Sequence, residues 1–152
     1  AARLAGKYFI VHQMGEKEFA PSALPGYITR AFISDGLPDI MAAASLVVSR
    51  SGANTLSELS ALGKPMVLIP LPTAGSRGDQ LRNAEVFRKA GAAVVLQEEE
   101  ITPESFLSTV EGLLQDKPGL SRMAAQARSL SGGDSAGRIA ALIMELARGR
   151  AR

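Results

Sequence analysis

The sequence predicts an α/β fold, a Rossmann-like parallel sheet flanked by helices, and three observations carry that prediction. Short, largely β-branched apolar runs at Tyr8–Val11, Leu46–Val48, Met66–Ile69 and Ala93–Leu96 read as strands buried on both faces. Stretches with helical spacing of apolar residues lie between them, and two end in a glycine just before the next strand, at Gly63 and Gly91. The 152 residues, 46% of them hydrophobic, suffice for one full core and not for two. Residues 1–152 are therefore expected to form a single domain around roughly five parallel strands.

In chain order, residues 1–7 read as the end of a helix closed at Gly6, so the chain starts part-way through a unit. The strand Tyr8–Val11 follows. His12 to Pro25 is polar and punctuated by Gly15, Pro21 and Pro25-Gly26, the pattern of a loop, and Tyr27–Ile33 reads as the next strand. Ser34-Asp35-Gly36 breaks it. Leu37–Ala44 is a short helix with Pro38 in its first turn. After the strand Leu46–Val48, a loop containing Gly52 leads to a helix starting at Asn54 or Thr55 and closed at Gly63. Pro65 opens the strand to Ile69, and Pro70, Pro72, Gly75 and Gly78 mark a long loop. Asp79–Ala90 is helical and Ala93–Leu96 is a strand. Glu98–Glu100 reads as a solvated turn, and Thr102-Pro103 starts a helix with Phe106, Leu107, Val110, Leu113 and Leu114 on one face. Two more helices follow: one carries Leu120, Met123, Ala127 and Leu130, and the other, entered through Gly132-Gly133-Asp134, carries Ile139, Leu142, Ile143 and Leu146.

Composition narrows the function. Cysteine is absent and His12 is the single histidine, which removes disulfides and thiolate or polyhistidine metal sites. There is no Asp-x-Asp metal motif. A net charge of +2 with scattered basic residues and 5% aromatics argues against nucleic acid. No apolar run approaches the roughly 20 residues that span a bilayer, and the first residues do not read as a signal peptide; a cytoplasmic chain is expected. The closing Arg148-Gly149-Arg150-Ala151-Arg152 reads as a solubilising tail, with contact to anionic lipid as the alternative.

In open parallel sheets ligands bind outside the carboxyl ends of the strands. Three loops qualify: Phe32–Pro38, Arg50–Thr55 and Pro70–Gln80. The central stretch, SRSGANTLSELSALGKP from Ser49 to Pro65, has the form of a glycine loop feeding a helix whose first N–H groups suit a phosphate, with the carboxylate Glu58 just beyond. Phosphate plus a diol acceptor suggests a nucleotide. Thr55-Leu56-Ser57-Glu58 is also a capping-box pattern, and on the residues alone Glu58 as a helix cap comes first. Gly52 is expected to be required for the tight turn. Arg50 reaches either a phosphate or a neighbouring carboxylate, and His12 reads as a packing or hydrogen-bonding residue.

SRSGANTLSELSALGKPMVLIPLP, DQLRNAEVFRKAGAAVVL, IVHQMG and RAFISDGLPDIMAAASLVVSRSG together resemble, in register over nearly the whole chain, the C-terminal half of the MurG family of bacterial transferases. These enzymes move N-acetylglucosamine (GlcNAc) from UDP-GlcNAc onto lipid I in peptidoglycan synthesis. The resemblance implies the GT-B architecture, with this chain as the C-terminal, donor-binding domain. It implies that Phe32 and Ile33 meet the uracil, the Ile33 backbone reading its edge. Ser51 and Gly52 open the loop and count with it among the substrate-binding residues, the backbone of Ala53, Asn54 and Thr55 faces the diphosphate and sugar, and Glu58 takes both ribose hydroxyls, which places ribose binding ahead of the cap. Asp79, Gln80 and Asn83 fall where the family contacts the GlcNAc hydroxyls, Asp79 standing where a glutamine is common.

The family's first strand and glycine-rich phosphate loop do not precede Ala1, and its usual general base belongs to the other domain. The resemblance thus implies no catalytic residue here, no cofactor and no metal. It implies a hexosyltransferase as the full-length protein, this chain alone being inactive, with UDP-GlcNAc and a lipid-linked acceptor as partners at the inner face of the cell membrane. A UDP-GlcNAc 2-epimerase-like domain and a non-catalytic nucleotide-sugar-binding subunit of a two-chain transferase are the alternatives. An exposed sheet edge left by the first strand would favour self-association.

Overall fold

The computed structural model describes residues 2–72, 78–133 and 135–149. Gly75 of the long loop, Asp134 at the last helix entrance, and Arg150 and Arg152 of the tail lie outside them. The elements run α1 (Ala2–Ala5), β1 (Ile10–Gln13), β2 (Tyr27–Arg30), α2 (Leu37–Ala43), β3 (Val47–Ser49), α3 (Ala53–Ala61), β4 (Met66–Leu68), α4 (Asp79–Lys89), β5 (Ala93–Val95), α5 (Pro103–Gln115), α6 (Lys117–Ser129) and α7 (Ser135–Gly149). All strand pairings among the described residues are parallel: helices connect β3 to β4 and β4 to β5, and a long loop connects β1 to β2.

The strands form two sheets rather than one: β1 with β2, and β3-β4-β5. β1 and β3 share no strand pairing among the described residues.

The core gathers on the three-stranded sheet. Every residue of β4 is buried, and Leu56 and Leu59 of α3, Ala84 of α4, Ala93 of β5, Ala127 of α6 and Met41 of α2 close around Met66 and Leu68. Both glycine closures form as the sequence indicates. At Gly63, with φ 60°, the backbone is left-handed, and the Lys64 N–H turns back to the Leu59 carbonyl at 2.9 Å. Thr102 caps α5, accepting from the Ser105 N–H while the Ser105 hydroxyl accepts from the Thr102 N–H.

Two expectations are revised. The first strand starts at Ile10 and takes in His12 and Gln13, while the second stops at Arg30, so Ala31, Phe32 and Ile33 belong to the following loop. The reason is pairing: the ladder ends where Gln13 meets Arg30, and Phe9 before it stands 71% exposed. The apolar face of α7 also differs, since Ile139, Leu142, Ile143 and Leu146 remain 56–60% exposed instead of joining the core.

Candidate functional site

The carboxyl ends of β3 and β4 meet the start of α4 through a set of hydrogen bonds. Ser51, fully buried, donates its hydroxyl to the Gln80 carbonyl at 2.8 Å. Asn83 donates its side-chain amide to the Ser51 carbonyl at 3.1 Å, and Gln80 Oε1 accepts the Leu71 N–H at 3.1 Å. The glycine loop is thereby tied to α4 on one side and to the end of β4 on the other. The Gln80 Nε2 group has no partner among the described residues, whereas Asp79 pairs with Arg82 on the surface of α4.

Arg50 is a second tie. Its guanidinium donates to the Ile69 carbonyl at 3.1 Å and grips Glu98 with two bonds of 2.8 and 2.9 Å. The carboxylate bond raises the Arg50 pKa, and the same bond holds Glu98 below the usual carboxylate range. Of the two readings of Arg50, the structure shows the carboxylate pair. The sequence places Glu98 only in a solvated turn, because 48 residues separate it from Arg50, too far for any local pattern to pair them.

The helix α3 begins at Ala53, with Gly52 as its N-cap and the first helical bond running from the Leu56 N–H to the Gly52 carbonyl at 3.0 Å. Among the described residues the N–H groups of Ala53, Asn54 and Thr55 have no acceptor at the carboxyl end of β3, the condition that makes a helix start attract anions. Asn54 and Ala53 are exposed and Thr55 is half-buried. This start corrects two expectations. Glu58 is the sixth residue of α3 and Thr55 the third, so the capping-box reading of Glu58 fails, the helix starting one turn too early for it. The Glu58 side chain is exposed and makes no hydrogen bond or ion pair among the described residues. It lies four residues after Asn54 and three after Thr55, on the face they share. Gly52, for its part, has φ −67° and ψ 140°, a conformation open to any residue, and a Cβ there would meet nothing within 4 Å. The turn itself does not demand glycine.

Phe32 and Ile33 stand apart from this cluster. They follow β2 and line an open cleft of about 460 Å³ with Phe9, Val11, Ile28 and Asp35. Phe32 is 68% exposed. The Ile33 N–H donates to Gln13 Oε1 at 2.9 Å, binding the loop to the end of β1. Gln13 was hidden in sequence within a stretch read as loop; its place at a strand end is what brings it here. His12, next to it, hydrogen-bonds the Tyr27 hydroxyl at 2.7 Å, in the structural role its residue type suggested. No hydrogen bond joins the Phe32–Ile33 loop to the Ser51–Asn83 cluster among the described residues.

Residues 1–139 match the family described as "Glycosyltransferase family 28 C-terminal domain". The chain belongs to this family. Within it, the chain is 46% identical over 116 residues to the UDP-N-acetylglucosamine--N-acetylmuramyl-(pentapeptide) pyrophosphoryl-undecaprenol N-acetylglucosamine transferase of Geobacillus thermodenitrificans, a match covering 75% of the chain. The crystal structure of Acinetobacter baumannii MurG superposes with a TM-score of 0.75 at 28% identity, over 90% of the chain and 41% of that protein. The glycosyltransferase of kitacinnamycin, at 24% identity and a TM-score of 0.71, shares the fold, over 89% of the chain and 34% of that enzyme. The chain spans about a third of the length of the curated relatives it matches. The parallel sheets flanked by helices are those of the C-terminal domain of a GT-B glycosyltransferase. Among the described residues no helix is long and apolar enough to cross a membrane.

Proposed function

We propose that this family 28 domain binds UDP-GlcNAc as the donor half of an inverting hexosyltransferase that delivers GlcNAc to a lipid-linked acceptor. The observation that carries the reading is the start of α3: three N–H groups without acceptors among the described residues at the carboxyl end of β3, with an exposed Glu58, unpartnered among the same residues, on the same helix face. In this reading the Ala53–Thr55 N–H groups receive the diphosphate and Glu58 accepts from both ribose hydroxyls. An ionised carboxylate suits that role because it only accepts, and its two oxygens meet two adjacent donors. The backbone of Ile33 meets the uracil edge beside Phe32, and Gln80, with Asp79, faces the sugar. Ser51 and Asn83 hold the loop that presents these groups. The open space at Gly52 supports it too, since a ligand drawn against the backbone accounts for a glycine that the turn does not need.

The chemistry follows from placement. Donors fixed at the diphosphate stabilise the negative charge that grows on UDP as the glycosidic bond breaks, and they do so without reorganising. Holding the donor rigidly against the acceptor hydroxyl supplies the rest, with a base outside these residues taking the proton. The relatives' printed name supplies the acceptor, an N-acetylmuramyl-(pentapeptide) pyrophosphoryl-undecaprenol. In this reading the transfer takes place at the cytoplasmic face of the membrane, with the enzyme attached peripherally.

The test is an amide NMR titration of the chain with UDP, UDP-GlcNAc and UDP-glucose. Saturable shifts at Ile33, Ala53–Thr55 and Gln80, strongest with UDP-GlcNAc, are expected. A folded chain that shows none of them with any of the three ligands refutes the reading.

A further inference from the structure

In the proposed site the amide that reads the base is already engaged. The Ile33 N–H donates to Gln13 Oε1 at 2.9 Å, while no group donates to the Ile33 carbonyl among the described residues. Gln13 ends β1 opposite Arg30, the last residue of β2, and from there its side chain spans to the loop that β2 feeds. Its own Nε2 group has no partner among the described residues, and the side chain is exposed.

A uracil edge presents two carbonyl oxygens flanking a ring N–H. The backbone of a single residue complements it by donating its N–H to one carbonyl and accepting the ring N–H at its own carbonyl oxygen. A backbone N–H has one proton to give, so the base carbonyl and Gln13 Oε1 compete for the same donor. Both competitors are neutral amide-type oxygens, which makes the exchange one of like for like.

We propose that Gln13 is a latch on the base site: its amide oxygen stands in for the base carbonyl, keeps the Phe32–Ile33 loop shaped while the site is empty, and swings into solvent when a uridine nucleotide binds. The inference rests on the proposed placement of uracil at Ile33 and assigns the residue that sets affinity there. Apparent affinity falls by the fraction of molecules with the latch open, and for one exposed neutral hydrogen bond that fraction corresponds to a roughly two- to tenfold weakening.

The latch is tested by titrating the 152-residue chain and its Gln13→Ala, Gln13→Thr and Gln13→Glu variants with uridine and with UDP, following the amide resonances. Gln13→Ala and the strand-compatible Gln13→Thr are expected to bind both ligands roughly two- to tenfold more tightly, with faster exchange of the free Ile33 amide. Gln13→Glu, whose carboxylate accepts more strongly, is expected to bind both more weakly. Using uridine as well as UDP separates the latch from repulsion between a carboxylate and the diphosphate. Unchanged or weaker binding by Gln13→Ala and Gln13→Thr, with wild type saturable at Ile33, overturns the latch and leaves the base site standing. If neither ligand perturbs Ile33 in wild type or variants, the base placement falls, and the latch with it.

Discussion

Glu58→Gln separates ligand binding from folding more cleanly than any other change in this domain. The side chain lies on the exposed face of α3, opposite the buried Leu56, Leu59 and Ser60, and touches no partner among the described residues. Glutamate and glutamine are nearly equal helix formers, so folding stability is expected to change by less than about 0.5 kcal/mol. Five residues of helical rise put Glu58 about 7.5 Å along the axis from Ala53, far enough to serve the ribose of a nucleotide whose diphosphate lies at the helix start. Glutamine keeps one acceptor oxygen and replaces the other with a donor, so one charge-assisted hydrogen bond is lost and the other weakened. Hydrogen bonds to a charged group contribute about 1.5–3 kcal/mol, which corresponds to a roughly 10- to 150-fold rise in Kd for UDP. Calorimetric titration with UDP and 2′-deoxy-UDP is the assay. The wild type is expected to discriminate against the deoxy ligand, and Glu58→Gln to lose most of that discrimination. Equal UDP affinity for wild type and variant, with matching thermal melts, would refute the ribose assignment.

Three other perturbations probe the framework. Gly52→Ser supplies a better N-cap in a backbone conformation that serine adopts freely; thermal stability is expected to hold or rise by a few tenths of a kcal/mol while UDP affinity falls, and unimpaired affinity would show that nothing approaches the Gly52 backbone. Asn83→Ala removes the donor to the Ser51 carbonyl next to a fully buried residue; denaturant melts are expected to show a loss of about 1–3 kcal/mol, and an unchanged midpoint would mean that water replaces the amide at no cost. Glu98→Gln tests the clamp on Arg50. Because Glu98 has a lowered pKa when folded, through its bond to Arg50, its stabilisation is present above the ordinary glutamate value and lost as pH falls through the folded one. Wild type should therefore melt higher than the variant near neutrality and converge with it once pH has fallen through the lowered folded pKa, and a gap that persists in strong acid would contradict the ion pair.

The sequence carried the βα alternation because its signals are local. Gly63 closes α3 through a left-handed residue and Thr102 caps α5 through its own hydroxyl, and each needs only a few neighbours along the chain. The N–H groups at the start of α3 were legible for the same reason, as were the three loops at the strand ends. Glu58 shows the limit of such reading. Its capping box was a sound local pattern, and it failed because the helix starts at Ala53, one turn before the pattern requires.

What tertiary structure decided are the contacts between distant residues. Gln13 meets Ile33 across 20 positions and Asn83 meets Ser51 across 32, because parallel strands bring their carboxyl ends together from separate units. The apolar stripe of α7 was plain in its spacing, yet whether that stripe is covered depends on what stands against it, and in this structure the core forms elsewhere. The division into two sheets has the same origin: strand propensity is a property of a segment, but the neighbour each strand takes is set by long-range pairing. Periodicity and end signals therefore determined the elements, and long-range pairing, which leaves no trace in any short stretch of sequence, determined how their ends make a site.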